Sequence, residues 1–225
     1  MKNLLLFSFF FLSLNCISQQ LVIDTNQLID ETQLSGSDPD EMKLVWWIPI
    51  EFWESVFAGD NTVTDDQAQN MLDVLSEYTM FAVVDGTIGP FGGVSFEPLE
   101  TFENKVFVVD MNQEKYAPIK TEKLNSDTQI LISSFKPILK NMLGAMGENM
   151  HFFVFSDLSK KKERICDPRA KGQVIFEMKG ETYSYRTPLG AVLPPKKCPK
   201  DDEEMSGAWD YCPWHGNALD LKTGK

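Results

Sequence analysis

Histidine is scarce in this chain, which has only two among its 225 residues, His151 and His215. A mechanism that needs several histidines is therefore excluded. The sequence also lacks the Gly-x-Ser-x-Gly elbow of serine hydrolases and the His-Glu-x-x-His helix of zinc peptidases, patterns whose spacing carries their chemistry. The sequence therefore contains no complete motif for either of these two hydrolytic mechanisms.

Long apolar runs are also lacking, except near the N-terminus, where residues 4–14 are apolar apart from two serines. Such a run is too short to span a bilayer, which takes roughly 20 residues. Lys2 before it and small residues after it are typical of an export signal over residues 1–18, cut ahead of Gln19. Cys16 leaves open a lipid anchor on that cysteine. We expect an exported protein, periplasmic or secreted, without a transmembrane segment.

Positive charge is in deficit, with 21 Lys and Arg against 33 Asp and Glu and a formal net charge of −12. The phosphates of nucleic acid and an anionic membrane surface would both repel such a chain. The composition is otherwise ordinary for a folded protein. We therefore expect the partner to be another protein or a small ligand.

Turn-forming residues divide the chain into four parts. After the signal, residues 19–41 are polar and contain a Ser-Gly-Ser-Asp-Pro-Asp run, which predicts a flexible leader. Residues 42–193 mix strand and helix patterns without regular alternation, which predicts an α+β domain with a mixed or antiparallel sheet and two to three helices. Residues 194–225 are expected to form a small C-terminal clasp.

Local signals place several elements of that domain. Thr64 and Gln67 form a capping box that predicts the start of a helix. The pair Lys179-Gly180 between two alternating segments predicts a β-hairpin. An aromatic group that includes Trp46, Trp47 and Trp53 could bind a partner, but aromatic residues at helical spacing are more often core.

Three polar residues are the candidates for catalysis. Asp85 and Asp110 each end an apolar strand pattern, and His151 begins another. Carboxylates brought together with one raised pKa can perform acid–base chemistry, so a small hydrolase remains the alternative function. An aspartate after a strand also commonly begins a turn, and a lone histidine among apolar residues is more often structural.

Removal of the signal would leave three cysteines, Cys166, Cys198 and Cys212. In an oxidising compartment an odd number leaves one thiol unpaired, unless a metal binds all three. Cys166 lies in a polar, basic segment, and we expect its thiol to be exposed or half-buried.

The other two cysteines begin two similar motifs, Cys198-Pro-Lys-Asp201 and Cys212-Pro-Trp-His215. A Cys-x-x-ligand turn directs both side chains to one point, as a tetrahedral zinc site requires. The tail resembles a zinc ribbon, in which each half carries Cys-Pro-x-Cys-Gly. Here Asp201 and His215 stand where the second cysteines would be, and Asp202 replaces the first glycine. The resemblance implies a small structural knuckle and no particular reaction.

Three interpretations of the tail remain open. One structural zinc ion bound by Cys198, Asp201, Cys212 and His215 is chemically acceptable. A Cys198–Cys212 disulfide suits an exported protein and would contribute about 3 kcal/mol of stability. The third interpretation is a relic with neither bond. Overall the sequence favours an exported, acidic, non-enzymatic binding or scaffold protein.

Overall fold

The computed structural model describes residues 22–221, so the predicted export signal and Cys16 lie outside the described residues. The fold is α+β, as predicted. Within this range there are five α-helices rather than two to three: α1 (Thr25–Thr32), α2 (Ile50–Gly59), α3 (Asp65–Leu75), α4 (Ser126–Leu143) and α5 (Ala145–Glu148). None of these helices combines the length and the hydropathy that crossing a membrane requires.

All strand pairings among the described residues are antiparallel. The strands are β1 (Gln33–Ser35), β2 (Glu41–Ile48), β3 (Tyr78–Ile88), β4 (Val94–Phe96), β5 (Val106–Val109), β6 (Lys115–Tyr116), β7 (His151–Ser156), β8 (Gly172–Met178), β9 (Glu181–Thr187), β10 (Lys196–Lys197), β11 (Glu204–Met205) and β12 (Asp220–Leu221).

The strands form three sheets. The first has the order β1-β2-β3-β4, with β7 also paired to β3. The second has the order β6-β5-β8-β9, and a small C-terminal sheet has the order β11-β10-β12. Strand β3 lies at the centre of the first sheet, and its first nine residues are buried. A strand buried on both faces reads as a continuous apolar run, which is why β3 is visible in the sequence.

Aromatic side chains join the first two sheets face to face. Phe81 of β3 stacks on Phe176 of β8 with ring centroids 4.6 Å apart, and Trp47 of β2 meets Tyr185 of β9 at 5.6 Å. The Tyr185 hydroxyl also donates to the carbonyl of Val45 at 2.9 Å. The sheets therefore enclose one core, and the core interpretation of the tryptophan-rich segment is confirmed for Trp47, which is fully buried.

Helices cover the opposite face of the first sheet. Alternate residues of a strand point to opposite faces, so the neighbour of Trp47, Trp46, faces α2 and meets Phe52 at 5.1 Å. Trp53 of α2 stacks on Phe135 of α4 at 4.8 Å. The result is three layers, with helices on the first sheet and the first sheet on the second.

The N-terminal segment differs from the flexible leader predicted for residues 19–41. Within it, α1 and β1 are ordered parts of the fold, and Leu28 of α1 is fully buried in the main core. Asp24 caps the helix by accepting from the N–H groups of Asn26 and Gln27. Glu31 accepts from the N–H of Ala191 at 3.1 Å. On this mostly polar helix, one fully buried leucine does not produce the repeated apolar spacing by which a helix is recognised in a sequence.

Two local predictions are confirmed. Thr64 and Gln67 form a capping box at the start of α3. Strands β8 and β9 form the predicted hairpin, and its two loop residues, Lys179 and Gly180, have φ of 53° and 89°. Positive φ at both positions is the type I′ turn that matches the twist of a hairpin.

Candidate metal centre

The first knuckle of the clasp is a tight hairpin between β10 and β11. The N–H of Cys198 donates to the carbonyl of Glu203 at 3.0 Å, and the N–H of Asp202 donates back to the carbonyl of Cys198 at 2.9 Å. Asp202 has φ of 59°, in the left-handed region. Aspartate is one of the non-glycine residues that adopt this conformation most readily, which explains how it replaces the expected glycine.

The second knuckle repeats this backbone geometry. The N–H of Cys212 donates to the carbonyl of Asn217 at 2.8 Å, and the N–H of Gly216 donates to the carbonyl of Cys212 at 2.8 Å. Gly216 has φ of 67°. The doubled sequence motif therefore corresponds to two copies of one backbone turn, each with a cysteine first and a further candidate ligand three residues later.

The two knuckles bring their side chains to one point. The ligand atoms of Cys198, Cys212 and His215 all lie within 4.8 Å of one another. The Nδ1 atom of His215 lies 3.4 Å from the Sγ of Cys198 and 3.7 Å from the Sγ of Cys212. The Oδ2 atom of Asp201 lies 3.4 Å from the same nitrogen. All four predicted side chains thus meet around His215.

The group whose ligand atoms all lie within 4.8 Å of one another is Cys198, Cys212 and His215, and Asp201 is linked to it through its 3.4 Å contact with His215. The separations from His215 to its three neighbours match those between ligands of one tetrahedral zinc ion. With Zn–S bonds of ~2.3 Å and Zn–N or Zn–O bonds of ~2.0–2.2 Å, neighbouring ligand atoms lie roughly 3.4–3.8 Å apart. The three contacts of His215 fall in this range. The donor set also suits zinc, which accepts thiolate, imidazole and carboxylate ligands.

The surroundings of the two sulfurs differ from those of the other ligands. Cys198 and Cys212 are buried, and with Met205 and Leu219 they form an apolar cluster separate from the main core. Burial raises the pKa of the Cys198 thiol, while the backbone N–H groups of Lys200 and Asp201 oppose that shift. The Asp201 side chain is 37 % exposed, so its carboxylate is the candidate ligand that faces solvent.

Because so small a knuckle has no core of its own, the sequence predicts that Trp209, Tyr211, Trp214 and Leu219 pack around the cysteines. The aromatic members of this set do not. Trp209, Tyr211 and Trp214 are 46 %, 66 % and 73 % exposed, and only Leu219 of the expected set is buried. So small a knuckle has little room inside, and the two sulfurs with Met205 and Leu219 fill it. The aromatic side chains are left on its surface.

Close contacts seat the clasp on the larger domain. A Cβ atom at Gly207 would lie 2.6 Å from the Cβ of Leu193, the last residue of the domain, and one at Gly190 would lie 2.1 Å from the Oγ of Ser206. Asp210 lies 3.5 Å from the ammonium groups of both Lys171 and Lys196. The start of the clasp is therefore held against the end of the domain.

Of the three candidate catalytic residues, Asp85 and His151 lie on either side of Glu97, whose N–H donates to the Asp85 carbonyl at 2.8 Å, and Asp110 lies apart from them. Asp85 is buried and pairs with the Lys179 ammonium at 2.8 Å, close to the β8–β9 turn. Asp110 lies at the other end of the second sheet, where its Oδ1 accepts from the N–H groups of Asn112 and Glu114.

The ring Nε2 of His151 lies 2.9 Å from the carbonyl of Glu97. The side chain of Asp85 therefore takes part in an ion pair, and that of Asp110 stabilises a turn. His151 contacts the backbone of a neighbouring segment.

Cys166 also differs from its prediction as an exposed or half-buried thiol. It is fully buried in the main core, and burial raises the pKa of its thiol well above the usual range. A buried neutral thiol behaves as a small apolar side chain. Lys160, Lys161 and Lys162 are exposed while Ile165 and Cys166 turn inward, which a polar local composition does not reveal.

A buried ion network was missed by the sequence reasoning. Glu51 of α2 is 1 % exposed and accepts from Arg164 at 2.8 Å and from Arg169. Arg164 also donates to Asp157 at 3.0 Å. Desolvation raises the pKa of Asp157, and Arg164 opposes the shift. The network connects the segment after β7 to α2, and a glutamate among apolar residues in the first turn of α2 was its one local signal.

Comparison with known proteins gives no further information about this arrangement. No family model, no curated protein and no solved structure matches the chain.

Proposed function

We propose that this chain is an exported, acidic binding or scaffold protein whose C-terminal clasp is held together by one structural zinc ion. The observation that carries the proposal is the contact of His215 Nδ1 with Cys198, Cys212 and Asp201 at separations of 3.4 to 3.7 Å. Two knuckles with the same backbone turn supply these four ligands.

Zinc accounts for more of this geometry than a disulfide does. A Cys198–Cys212 disulfide would use the two sulfurs alone and give His215 and Asp201 no reason to converge on them. A zinc ion would use all four side chains and neutralise the two thiolates, which are costly to bury as unpaired charges. The disulfide is therefore the alternative that the experiment has to separate from zinc.

A zinc ion bound in this way would be structural. Four protein ligands leave no open position for water or substrate, and catalytic zinc sites keep such a position. Among its described residues the clasp has four buried apolar or sulfur-bearing side chains of its own, too few for an independent core. Metal binding would supply the folding free energy that the clasp lacks.

Binding rather than catalysis is supported by two features. The candidate catalytic residues Asp85, Asp110 and His151 each have a local structural partner. The clasp presents Trp209, Tyr211 and Trp214 on its surface, and tryptophan and tyrosine are enriched in protein interfaces. Export rests on the N-terminal sequence pattern, and the acidic charge suits a protein that must stay soluble.

The zinc content of the purified chain tests the proposal. We expect one zinc ion per chain by elemental analysis in wild-type protein and in Cys166→Ala, the matched control that removes a thiol outside the clasp. Cys212→Ser and His215→Ala are expected to lose most of the zinc. Full thiol reactivity that appears only after reduction, without bound zinc, would instead establish the disulfide and overturn the metal.

A further inference from the structure

Strand β9 has one edge without a partner strand. Among the described residues it pairs only with β8, as the last strand of the second sheet. The type I′ turn makes Met178 and Glu181 a hydrogen-bonded pair, and such pairs then recur at every second residue. The N–H and C=O groups of Thr182, Ser184 and Arg186 consequently point away from β8.

A groove runs along this edge. It has a volume of about 560 Å³ and lies between residues 181–184 of β9 and residues 34–38 and 41, which are the end of β1, part of the β1–β2 connection and the first residue of β2. Hydroxyl groups of Ser35, Ser37, Thr182 and Ser184 are among its lining. A free strand edge beside a groove is the arrangement that accepts an added strand from a partner.

The edge carries few of the devices that prevent such pairing. Proteins block free edges with proline, bulges, charged side chains or a covering segment, and of these β9 has the exposed charges of Glu181 and Arg186, which are of opposite sign. Strand β9 has seven residues, no proline and regular alternation, with Tyr183, Tyr185 and Thr187 buried and the residues between them exposed. Its backbone is thus straight enough and open enough to pair over three outward-facing residues.

The charge of the groove specifies the occupant. Three carboxylates line it, from Asp38, Glu41 and Glu181. The Lys43 ammonium lies 2.8 Å from Glu41 and 2.5 Å from Glu181 and is the one cation paired with them among the described residues. Asp38 is exposed. A segment with lysine or arginine at alternate positions would place its cations against this wall.

A second copy of the chain fits the edge less well. Each copy has a net charge of −12, and edge-to-edge pairing would bring two acidic β1–β2 connections together. Like charges placed opposite each other destabilise paired strands. The partner must therefore carry the opposite charge.

We infer that β9 binds an extended, basic segment of another protein by strand addition in this groove. The inference rests on the proposed binding function and names its partner class, but it does not depend on zinc. The bound segment would exchange backbone hydrogen bonds with Thr182, Ser184 and Arg186, and its cations would face Asp38 and Glu41.

The first test uses blocked six-residue peptides and the intact chain. A peptide of alternating lysine and valine is expected to bind, with chemical-shift changes and slowed amide exchange at Thr182, Ser184 and Arg186 by NMR. The same peptide with N-methyl groups on alternate residues should bind at least about tenfold more weakly, because it cannot complete the backbone ladder. Equal binding of the two peptides would overturn strand addition.

The second test changes the protein. Ser184→Pro removes an outward-facing N–H and keeps the pairing with β8, since proline is tolerated at such edge positions. It should weaken peptide binding about tenfold, whereas Ser184→Thr, the matched control, should bind as wild type does. Asp38→Lys should weaken binding of the lysine peptide and favour its glutamate counterpart. An unchanged preference would overturn the role assigned to charge.

Two further outcomes separate this inference from the others. Concentration-dependent dimerisation that Ser184→Pro abolishes would assign the edge to a second copy and refute the basic partner. Peptide binding should persist after a chelator has removed any metal. If the chain binds zinc but not the peptide, strand addition at β9 is refuted and the zinc proposal stands. If it binds the peptide but no zinc, the zinc proposal is refuted and strand addition stands.

Discussion

Asp202 and Gly216 occupy the same position in the two knuckles and share one backbone conformation, with φ of 59° and 67°. Each N–H donates to the carbonyl of the cysteine four residues earlier. Through this contact each turn closes and directs its cysteine toward His215. The left-handed residue is therefore as important to the shape of the clasp as the candidate ligands are.

The conformation of Gly216 predicts the first stability effect. Gly216→Ala should lower the stability of the clasp by about 1–2 kcal/mol, because a Cβ atom is disfavoured at positive φ. The matched control is Gly93→Ala, where no heavy atom lies within 4 Å of an added Cβ. Thermal unfolding followed by tryptophan fluorescence measures both variants. Equal melting temperatures for the two would contradict the argument.

The seat of the clasp predicts a second effect. A Cβ atom at Gly207 would lie 2.5 Å from the Pro194 carbonyl oxygen and 2.6 Å from the Leu193 Cβ, and overpacking of this kind costs about 1–3 kcal/mol. Gly207→Ala should therefore lower the denaturant midpoint. Gly59→Ala, at an open position with no heavy atom within 4 Å, serves as the control. A midpoint for Gly207→Ala as high as that of the control would show that the seat is not rigid.

The buried ion network predicts the largest single loss of stability. Arg164→Met removes one of the two arginines that contact the buried Glu51 and leaves the buried Asp157 without its cation, and it should cost about 3–5 kcal/mol. Lys161→Met removes an exposed cation from the same segment and should change the free energy of unfolding little. Equilibrium urea unfolding compares the two. A loss under about 1 kcal/mol for Arg164→Met would mean that the network is not important for stability.

The pairing of Glu181 with Lys43 predicts a dependence on pH. The hydrogen bond from Lys43 holds the pKa of Glu181 below its usual value of 4.5, so the folded chain binds this proton more weakly than the unfolded chain. Its stabilising contribution is present above that value and is lost as pH falls through the folded pKa.

The stability difference between wild type and Glu181→Gln should therefore be constant near neutral pH and shrink in acid. Glu103→Gln, at an exposed glutamate, controls for the loss of one charge. Denaturant unfolding between neutral and acidic pH provides the measurement. A difference that grows as pH falls would reverse the assigned sign.

Local sequence signals predicted the elements they control. The Lys179-Gly180 turn, the Thr64–Gln67 capping box and the two cysteine turns depend on neighbouring residues, and all are found where predicted. The convergence of Cys198, Cys212 and His215 was one of the three interpretations left open for the tail. The spacing predicts each Cys-x-x-ligand turn, whereas the meeting of the two turns depends on the fold.

Long-range arrangement was less accessible from the sequence. The helix at Thr25–Thr32, the burial of Cys166 and the Glu51–Arg164 pair each depend on a distant segment of the chain. The separate local partners of Asp85 and Asp110 follow from strand register, and the groove along β9 from how two sheets pack. A single sequence without the fold does not encode these relationships in any local pattern.

X-ray absorption at the zinc edge tests the central claim most directly. The Cys198, Asp201, Cys212 and His215 site predicts one zinc ion with two sulfur neighbours at ~2.3 Å and two nitrogen or oxygen neighbours at ~2.0–2.2 Å. The Cys166→Ala protein should give the same spectrum. Purified wild-type chain with no bound zinc and a Cys198–Cys212 disulfide, or zinc without sulfur neighbours, would contradict the account.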